Sequence, residues 1–237
     1  MSFASVSFLL FFLVVLLLLL LVQRVLPFAE IKRRIICQGI LLIASYVFYG
    51  WWNMRLCLLL MGITWISFFT AVKKDEKHLR QSRISLLIGV GTPLAVLGIF
   101  KYYDFFVTSF CEVFHLTPGV LNLILPVGIS FYTFQALSYT IDVYTGKIEK
   151  EKSFLQFALY LSFFPQLVAG PIVKASEFLP QLKENRKVTL SGLESGIQIF
   201  VFGMFKKVVL ADNISVFVDE VYRLSLIHIS EPTRQEA

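Results

Sequence analysis

The chain has 237 residues, 57% of them hydrophobic and only 16% charged, with a net charge of +6. Soluble domains run about 45–50% apolar and about 25% charged, so this composition, with a mean hydropathy of +0.73, excludes the ordinary soluble classes and reads as a membrane chain. The basic residues gather in short loops between apolar runs, where they set topology and do not make a nucleic-acid surface.

Phe3–Val22 carries no charge, and about twenty residues of helix cover the roughly 30 Å of hydrocarbon. Met1–Ser7 has no basic residue and no small-residue cleavage site follows, so the segment reads as a retained first span and not as a signal peptide. Ile35–Trp52 is the second span, ending in the interfacial aromatics Tyr49, Trp51 and Trp52, and Leu56–Val72 is the third. The loops between spans are rich, poor and rich in basic residues: Arg24, Lys32, Arg33 and Arg34; then Arg55 alone; then Lys73, Lys74, Lys77, Arg80 and Arg83. That alternation predicts a cytoplasmic first and third loop and an extracytoplasmic N-terminus. Ile84–Phe100 is a fourth span, delivering Lys101-Tyr102-Tyr103-Asp104 to the far interface. Phe105–Leu116 is too short to cross again, and either extends the fourth helix or lies flat. Cys37, Cys57 and Cys111 lie in separate apolar segments without CxxC spacing, which indicates neither a disulfide framework nor a metal site.

Pro126 opens the next segment, Val127–Tyr144. Within it Tyr132, Gln135, Tyr139 and Asp142 recur at helical spacing, with Gly128 and Ser138 on or beside their face and Ile129, Phe134, Leu137 and Ile141 on the other. A polar stripe of this length is costly against lipid, so it should face protein or a wet cavity. Tyr139 fits interhelical hydrogen bonding and a cavity equally; Gln135 is read as facing a cavity.

The stretch Tyr160–Leu182 would pass for another span except for Pro165 and the Gly170-Pro171 pair. Each proline deletes a backbone donor and clashes with the preceding turn. Broken backbone survives at bilayer depth only when buried in protein or lining a cavity, so the stretch, with Gln166 and Lys174, reads as a built site. With Gly170 as cap, a new helix should begin at Pro171 and turn its free amides toward a substrate oxygen. Lys174 is the nearest cation and doubles as an interfacial anchor. Glu177–Thr189 reads as a charged connector. Ser191 and Glu194 have capping-box spacing, Gly192–Ala211 is long enough to span, and Gly192 with Gly196 suits close helix packing. Lys206 and Lys207 either snorkel to the headgroups or contact donor phosphates.

His78 and His115 have no metal-ligand or catalytic partner at helical spacing, and no phosphate loop or HExxH pattern occurs. On residues alone, the chain is a polytopic all-α membrane protein with a broken, polar midplane. A transporter or a non-catalytic scaffold for an envelope enzyme would share that description, although a transporter commonly shows paired breaks in two related halves, and here there is one break and no internal repeat.

Four blocks, FKYYDFF, LPVGISFYTFQALSYTIDVYTG, FFPQLVAGPIVKASEFLPQL and FGMFKKVVLAD, together resemble the membrane-bound O-acyltransferase family, most nearly its bacterial alginate O-acetyltransferase branch. That branch is similar to membrane subunits that O-acetylate peptidoglycan and D-alanylate teichoic acids. The resemblance implies a single membrane domain over residues 1–224 in a bacterial plasma membrane. It also implies transfer of an acyl group, most simply acetyl, from a cytoplasmic thioester donor such as acetyl-CoA. The acceptor would be a hydroxyl of an extracytoplasmic polysaccharide or partner protein, with no bound cofactor or metal and no nucleic acid. Tyr132, Gln135, Tyr139, Asp142, Pro165, Gln166, Gly170, Pro171 and Lys174 would line the path, with Lys206 and Lys207 toward the donor. The family places its catalytic histidine in a later motif, no histidine here matches it, and the 237-residue chain is expected to be inactive by itself. Residues 225–237, SLIHISEPTRQEA with His228 inside the last part of SLIHIS, resemble a translated sequencing adaptor and are set aside.

Overall fold

The computed structural model describes the chain except residues 1–4, 25–28, 75–77, 115–118, 120, 122, 169, 185–188 and 231–237, and leaves out the side chains of residues 223–230. His115, Lys77 and the end of the adaptor-like tail therefore lie outside the described residues, as does the His228 side chain. The chain divides into two compact units, Met1–Asn185 and Arg186–Ala237. Among the described residues the regular secondary structure is helical, and the first unit is an antiparallel helical bundle.

Its first four helices are α1 (Val6–Arg24), α2 (Glu30–Gly50), α3 (Met54–Thr70) and α4 (Leu79–Phe114). By length and apolarity α1 and α4 are each able to cross a membrane. Asn53 caps α3, its side chain accepting from the Arg55 amide at 2.9 Å. Helix α4 resolves the alternative left by the sequence: residues 105–114 continue the fourth helix. Its 36 residues make a rod of about 54 Å, so one end must project beyond the hydrocarbon. There Asp104 accepts a hydrogen bond from the Leu121 amide at 2.8 Å.

Between lipid-surrounded helices the solvent supplies little drive to associate, and close backbone approach matters more. Gly89 of α4 illustrates this. A Cβ placed there would lie 2.5 Å from Thr70 Oγ1 on α3 and 2.9 Å from a Thr140 methyl.

Helix α5 (Ile129–Tyr144) follows Gly128, whose φ of 74° is left-handed and costs a side-chain-bearing residue roughly 1–2 kcal/mol. The carbonyl oxygen of Leu167 would sit 2.2 Å from a Gly128 Cβ, so only glycine fits.

Helix α6 (Phe154–Ser162) then runs back antiparallel to α5, capped by Ser153. Pro165 has no N–H to offer the Leu161 carbonyl, and its ring would clash there; α6 stops at Ser162. A single turn, α7 (Phe164–Leu167), carries Pro165 in its first positions. Gly170 still donates to the Gln166 carbonyl at 3.0 Å, after which residues 171–174 are extended and α8 (Ala175–Lys183) begins.

The broken helix near Pro165–Pro171 is thus present, but the new helix starts four residues later than Pro171. Pro171 cannot continue the Gly170 turn, and the β-branched Ile172 and Val173 favour extended backbone. The segment read as a connector from Glu177 is also helical as far as Lys183. Pro180 lies inside it on the exposed side, where water can take up the carbonyl that proline leaves free. Residues Ala175, Phe178, Leu179 and Leu182 form its inward stripe, while Ser176, Glu177, Pro180 and Gln181 face out.

The second unit contains α9 (Leu190–Phe205), a π-helical turn over Lys206–Ala211, and α10 (Asp212–Ser230). Thr189 caps α9 through a 3.1 Å bond from the Gly192 amide, so the N-cap lies two residues before the Ser191 expected from capping-box spacing. In the widened turn the Asp212 amide reaches back to Lys207. The Asn213 side-chain amide takes the Val209 carbonyl at 2.7 Å.

Candidate functional site

The polar stripe of α5 is turned inward. Tyr132, Gln135 and Tyr139 are 0%, 2% and 0% exposed, while Asp142 at the end of the stripe is half-buried and meets Lys147 at 3.5 Å and the Ser138 hydroxyl at 3.4 Å. Of the residues assigned to the opposite side, Phe134 and Ile141 are exposed, but Ile129 and Leu137 are buried. Helix α5 is therefore covered over more than half its circumference, because α3, α4 and α6 all pack on it.

What meets the stripe is the hairpin formed by residues 154–183. Its two ends are fastened together: Lys183 Nζ lies 2.8 Å from Glu151 Oε2. The other carboxylate oxygen accepts the Lys152 and Ser153 amides at 2.9 and 3.1 Å, and the Glu151 amide donates to the Tyr139 hydroxyl at 2.9 Å. Burial by itself would raise the Glu151 carboxyl, but Lys183 and the two amides outweigh it and hold the group below its usual range. The neighbouring Lys150 ammonium is pushed down by burial. Helix α2 closes the same end: Gln38 Nε2 donates to the Leu182 carbonyl at 2.7 Å and Arg34 to that of Lys183, which caps the last turn of α8 with a cation at its negative pole.

At the tip, Leu167 lies against Gly128 and the Phe164 amide donates to Ser45 Oγ at 3.2 Å. The Phe164 ring packs edge-on against Phe11 at 5.3 Å and tilted against Phe48 at 5.7 Å. Between base and tip, the buried Tyr160 ties the limbs to each other. Its hydroxyl donates to the Val173 carbonyl at 3.1 Å and lies 3.5 Å from that of Gln135, while Gln166 Nε2 donates to the Tyr160 carbonyl at 3.1 Å.

Gln135 and Gln166 thus both meet Tyr160, the one through its backbone carbonyl and the other through its side-chain amide, while Tyr139 lies toward the base against Glu151 and Tyr132 toward the tip, one turn after Gly128. Pro165, Pro171 and Lys174 are exposed, and Gly170 is half-buried, so these four shape the hairpin from outside. Lys206 and Lys207 belong to the second unit, where Lys206 lies 4.4 Å over the Phe202 ring and Lys207 pairs with Asp212 at 2.9 Å. Sequence reasoning missed Tyr160, Glu151, Lys183, Gln38 and Ser45. Tyr160 was legible as the residue opposite the stripe, but nothing local links Glu151 to Lys183. Among the described residues no three His, Cys, Asp or Glu side chains come together as a metal site would require.

One further arrangement concerns the loops. The Lys74 amide donates to the Tyr144 carbonyl at 3.1 Å, so the loop after α3 meets the loop after α5, and the Glu151–Lys183 pair and Arg34 lie at that same end. The basic loops separated in sequence gather at one end of the bundle. The first turns of α1 are at the other, with Phe8 packed on Phe48 and Phe164.

Residues 147–223, which begin just before the hairpin, match the family model described as MBOAT, membrane-bound O-acyltransferase family. The chain is 38% identical over 191 residues to the probable alginate O-acetylase AlgI of Pseudomonas putida, covering 78% of this chain and 39% of that protein. It is 37% identical over 206 residues to the peptidoglycan O-acetyltransferase of Helicobacter pylori, covering 76% and 39%. A 97-residue stretch is 31% identical to the teichoic acid D-alanyltransferase of Streptococcus thermophilus, covering 40% and 22%. The chain spans about two fifths of the length of the first two relatives. No solved structure matches it. A broken-helix hairpin inside the matched region, an inward polar stripe beside it and these relatives lead to one conclusion: the chain belongs to the membrane-bound O-acyltransferase family.

Proposed function

We propose that the whole protein transfers an acyl group, acetyl in the simplest case, from a cytoplasmic thioester donor such as acetyl-CoA to a hydroxyl on an extracytoplasmic polysaccharide or its carrier protein. The observation that carries this reading is the hairpin 154–183 closed around Tyr160, with Gln135, Tyr139 and Gln166 buried beside it. Backbone interrupted at this depth needs protein partners for its free groups, and here buried side chains supply several of them. Such a centre can bind and orient polar groups away from water; none of its residues is assigned the role of base or nucleophile.

The basic end is the cytoplasmic one, following the positive-inside rule, which leaves the start of α1 outside. On that reading the hairpin is re-entrant: it enters from the cytoplasmic end and returns to it, with Phe164–Leu167 as its deepest part. The names of the relatives, an alginate O-acetylase and a peptidoglycan O-acetyltransferase, support an envelope polysaccharide as acceptor.

The test is acetyl transfer from labelled acetyl-CoA in membrane vesicles carrying the whole protein. Gln135→Ala and Gln166→Ala should each lower transfer about tenfold, the loss expected for a misplaced path wall at about 1.4 kcal/mol, while Lys101→Ala on the projecting part of α4 leaves it unchanged. Equal rates in all three would refute the assignment of the path.

A further inference from the structure

We infer that Tyr49 and Tyr132 form a buried site for one neutral, hydrogen-bond-accepting oxygen. Tyr49 lies in the last turn of α2 and Tyr132 in the first turn of α5, 3% and 0% exposed. Their hydroxyls are within interaction range of each other, with Cys57 of α3 alongside. Yet neither hydroxyl has a hydrogen-bond partner at bonding geometry among the described residues.

Counting donors makes the case. Each phenol has one O–H to give and an oxygen that can accept. If one donates to the other, the second O–H still lacks an acceptor. Cys57 is a weak one, and its own thiol is turned toward the Tyr46 carbonyl at 3.6 Å. An unsatisfied buried donor costs about 1–3 kcal/mol, which the fold avoids at the fully buried Tyr160, whose hydroxyl donates to Val173; the Tyr139 oxygen at least has a partner in the Glu151 amide.

The two donors stand at the tip of the hairpin and not at its basic base. Tyr132 is one turn from Gly128, under the Leu167 carbonyl, and Tyr49 follows Phe48, which packs on Phe164. Two neutral O–H groups side by side are matched by an oxygen with two lone pairs. Water has such an oxygen, and so does an acyl carbonyl. The second source rests on the acyl-transfer reading above; the first does not.

Solid-state NMR of the protein in lipid nanodiscs, with labelled tyrosine, tests the site. Contact between a tyrosine hydroxyl proton and bound water is expected, and should be lost in the double variant Tyr49→Phe/Tyr132→Phe. Addition of S-ethyl thioacetate labelled at its carbonyl carbon should replace that water contact with one to the carbonyl if the site takes the acyl group. A persistent water contact with no thioester contact confirms the oxygen site and assigns it to water, leaving the acyl-transfer reading to its own assay. The inference is overturned if both hydroxyl protons bond only to each other and to protein oxygens. The double variant should still melt cooperatively, which establishes that it folds and that the lost contact is local.

Discussion

The tip and the base of the hairpin are held by different physics. At the tip, Gly128 and Leu167 meet backbone to backbone and Phe164 fills a cluster with Phe8, Phe11 and Phe48; shape decides the fit, and charge has no part in it. At the base, Glu151, Lys183, Arg34 and Gln38 exchange hydrogen bonds and charge at the edge of the bundle. The lesson is that a broken-helix hairpin can be positioned rigidly at its tip by packing, where buried polar groups are expensive, and fastened at its base by groups that respond to solvent.

Changes that break the tip should therefore cost most. Gly128→Ala forces both a left-handed alanine and a clash with the Leu167 carbonyl, about 3 kcal/mol or more in total. The melting temperature should fall sharply, and amides 164–168 should lose protection from hydrogen exchange; a melt within a degree of the parent would show that the close approach is not real. Phe164→Ala follows at about 3 kcal/mol for a buried aromatic, with exchange again raised at the tip and unchanged at 150–153. Equal loosening at both places would mean that tip and base are one cooperative unit.

At the base, Glu151→Gln keeps an acceptor for the Lys152 and Ser153 amides but removes the ion pair. With Lys183 half in solvent, we expect about 1–2 kcal/mol, a salt-dependent loss, and faster exchange confined to α8. The double variant with Lys183→Met should cost little more than Glu151→Gln alone, because the two share one interaction. The smallest effect is that of pH. A carboxyl held below its usual 4.5 contributes stability that is fully present above that value and disappears as pH falls through the lowered one. Protection of α8 should weaken only in that acid window, while protection at the tip stays flat; loss near neutral pH would point to another group.

How much of this was legible follows from the same division. The spacing of Tyr132, Gln135 and Tyr139 reports a buried face directly, since helical periodicity is local. Pro165 and Pro171 report the break because proline chemistry acts within one turn. The start of α8 falls after Pro171 partly for a local reason, the β-branched Ile172 and Val173, and partly for one no local rule contains: the Val173 carbonyl accepts from Tyr160, eleven residues before Pro171 in sequence. The cap of α9 went to Thr189 and not Ser191 for a lesser reason: two hydroxyl residues compete two positions apart, and spacing alone does not rank them.

The amino-acid order by itself determined that this is a polytopic helical membrane chain with one deliberate interruption, and its motif blocks carried the family. Those properties depend on apolar length, on charge per loop and on prolines, all of which are readable along a single strand of text. Only the tertiary structure decided that the two ends of the interrupted segment meet, that Glu151 is their common anchor and that Tyr49 faces Tyr132. These are contacts between residues tens of positions apart, and chain connectivity places no constraint on which of them form until the helices pack.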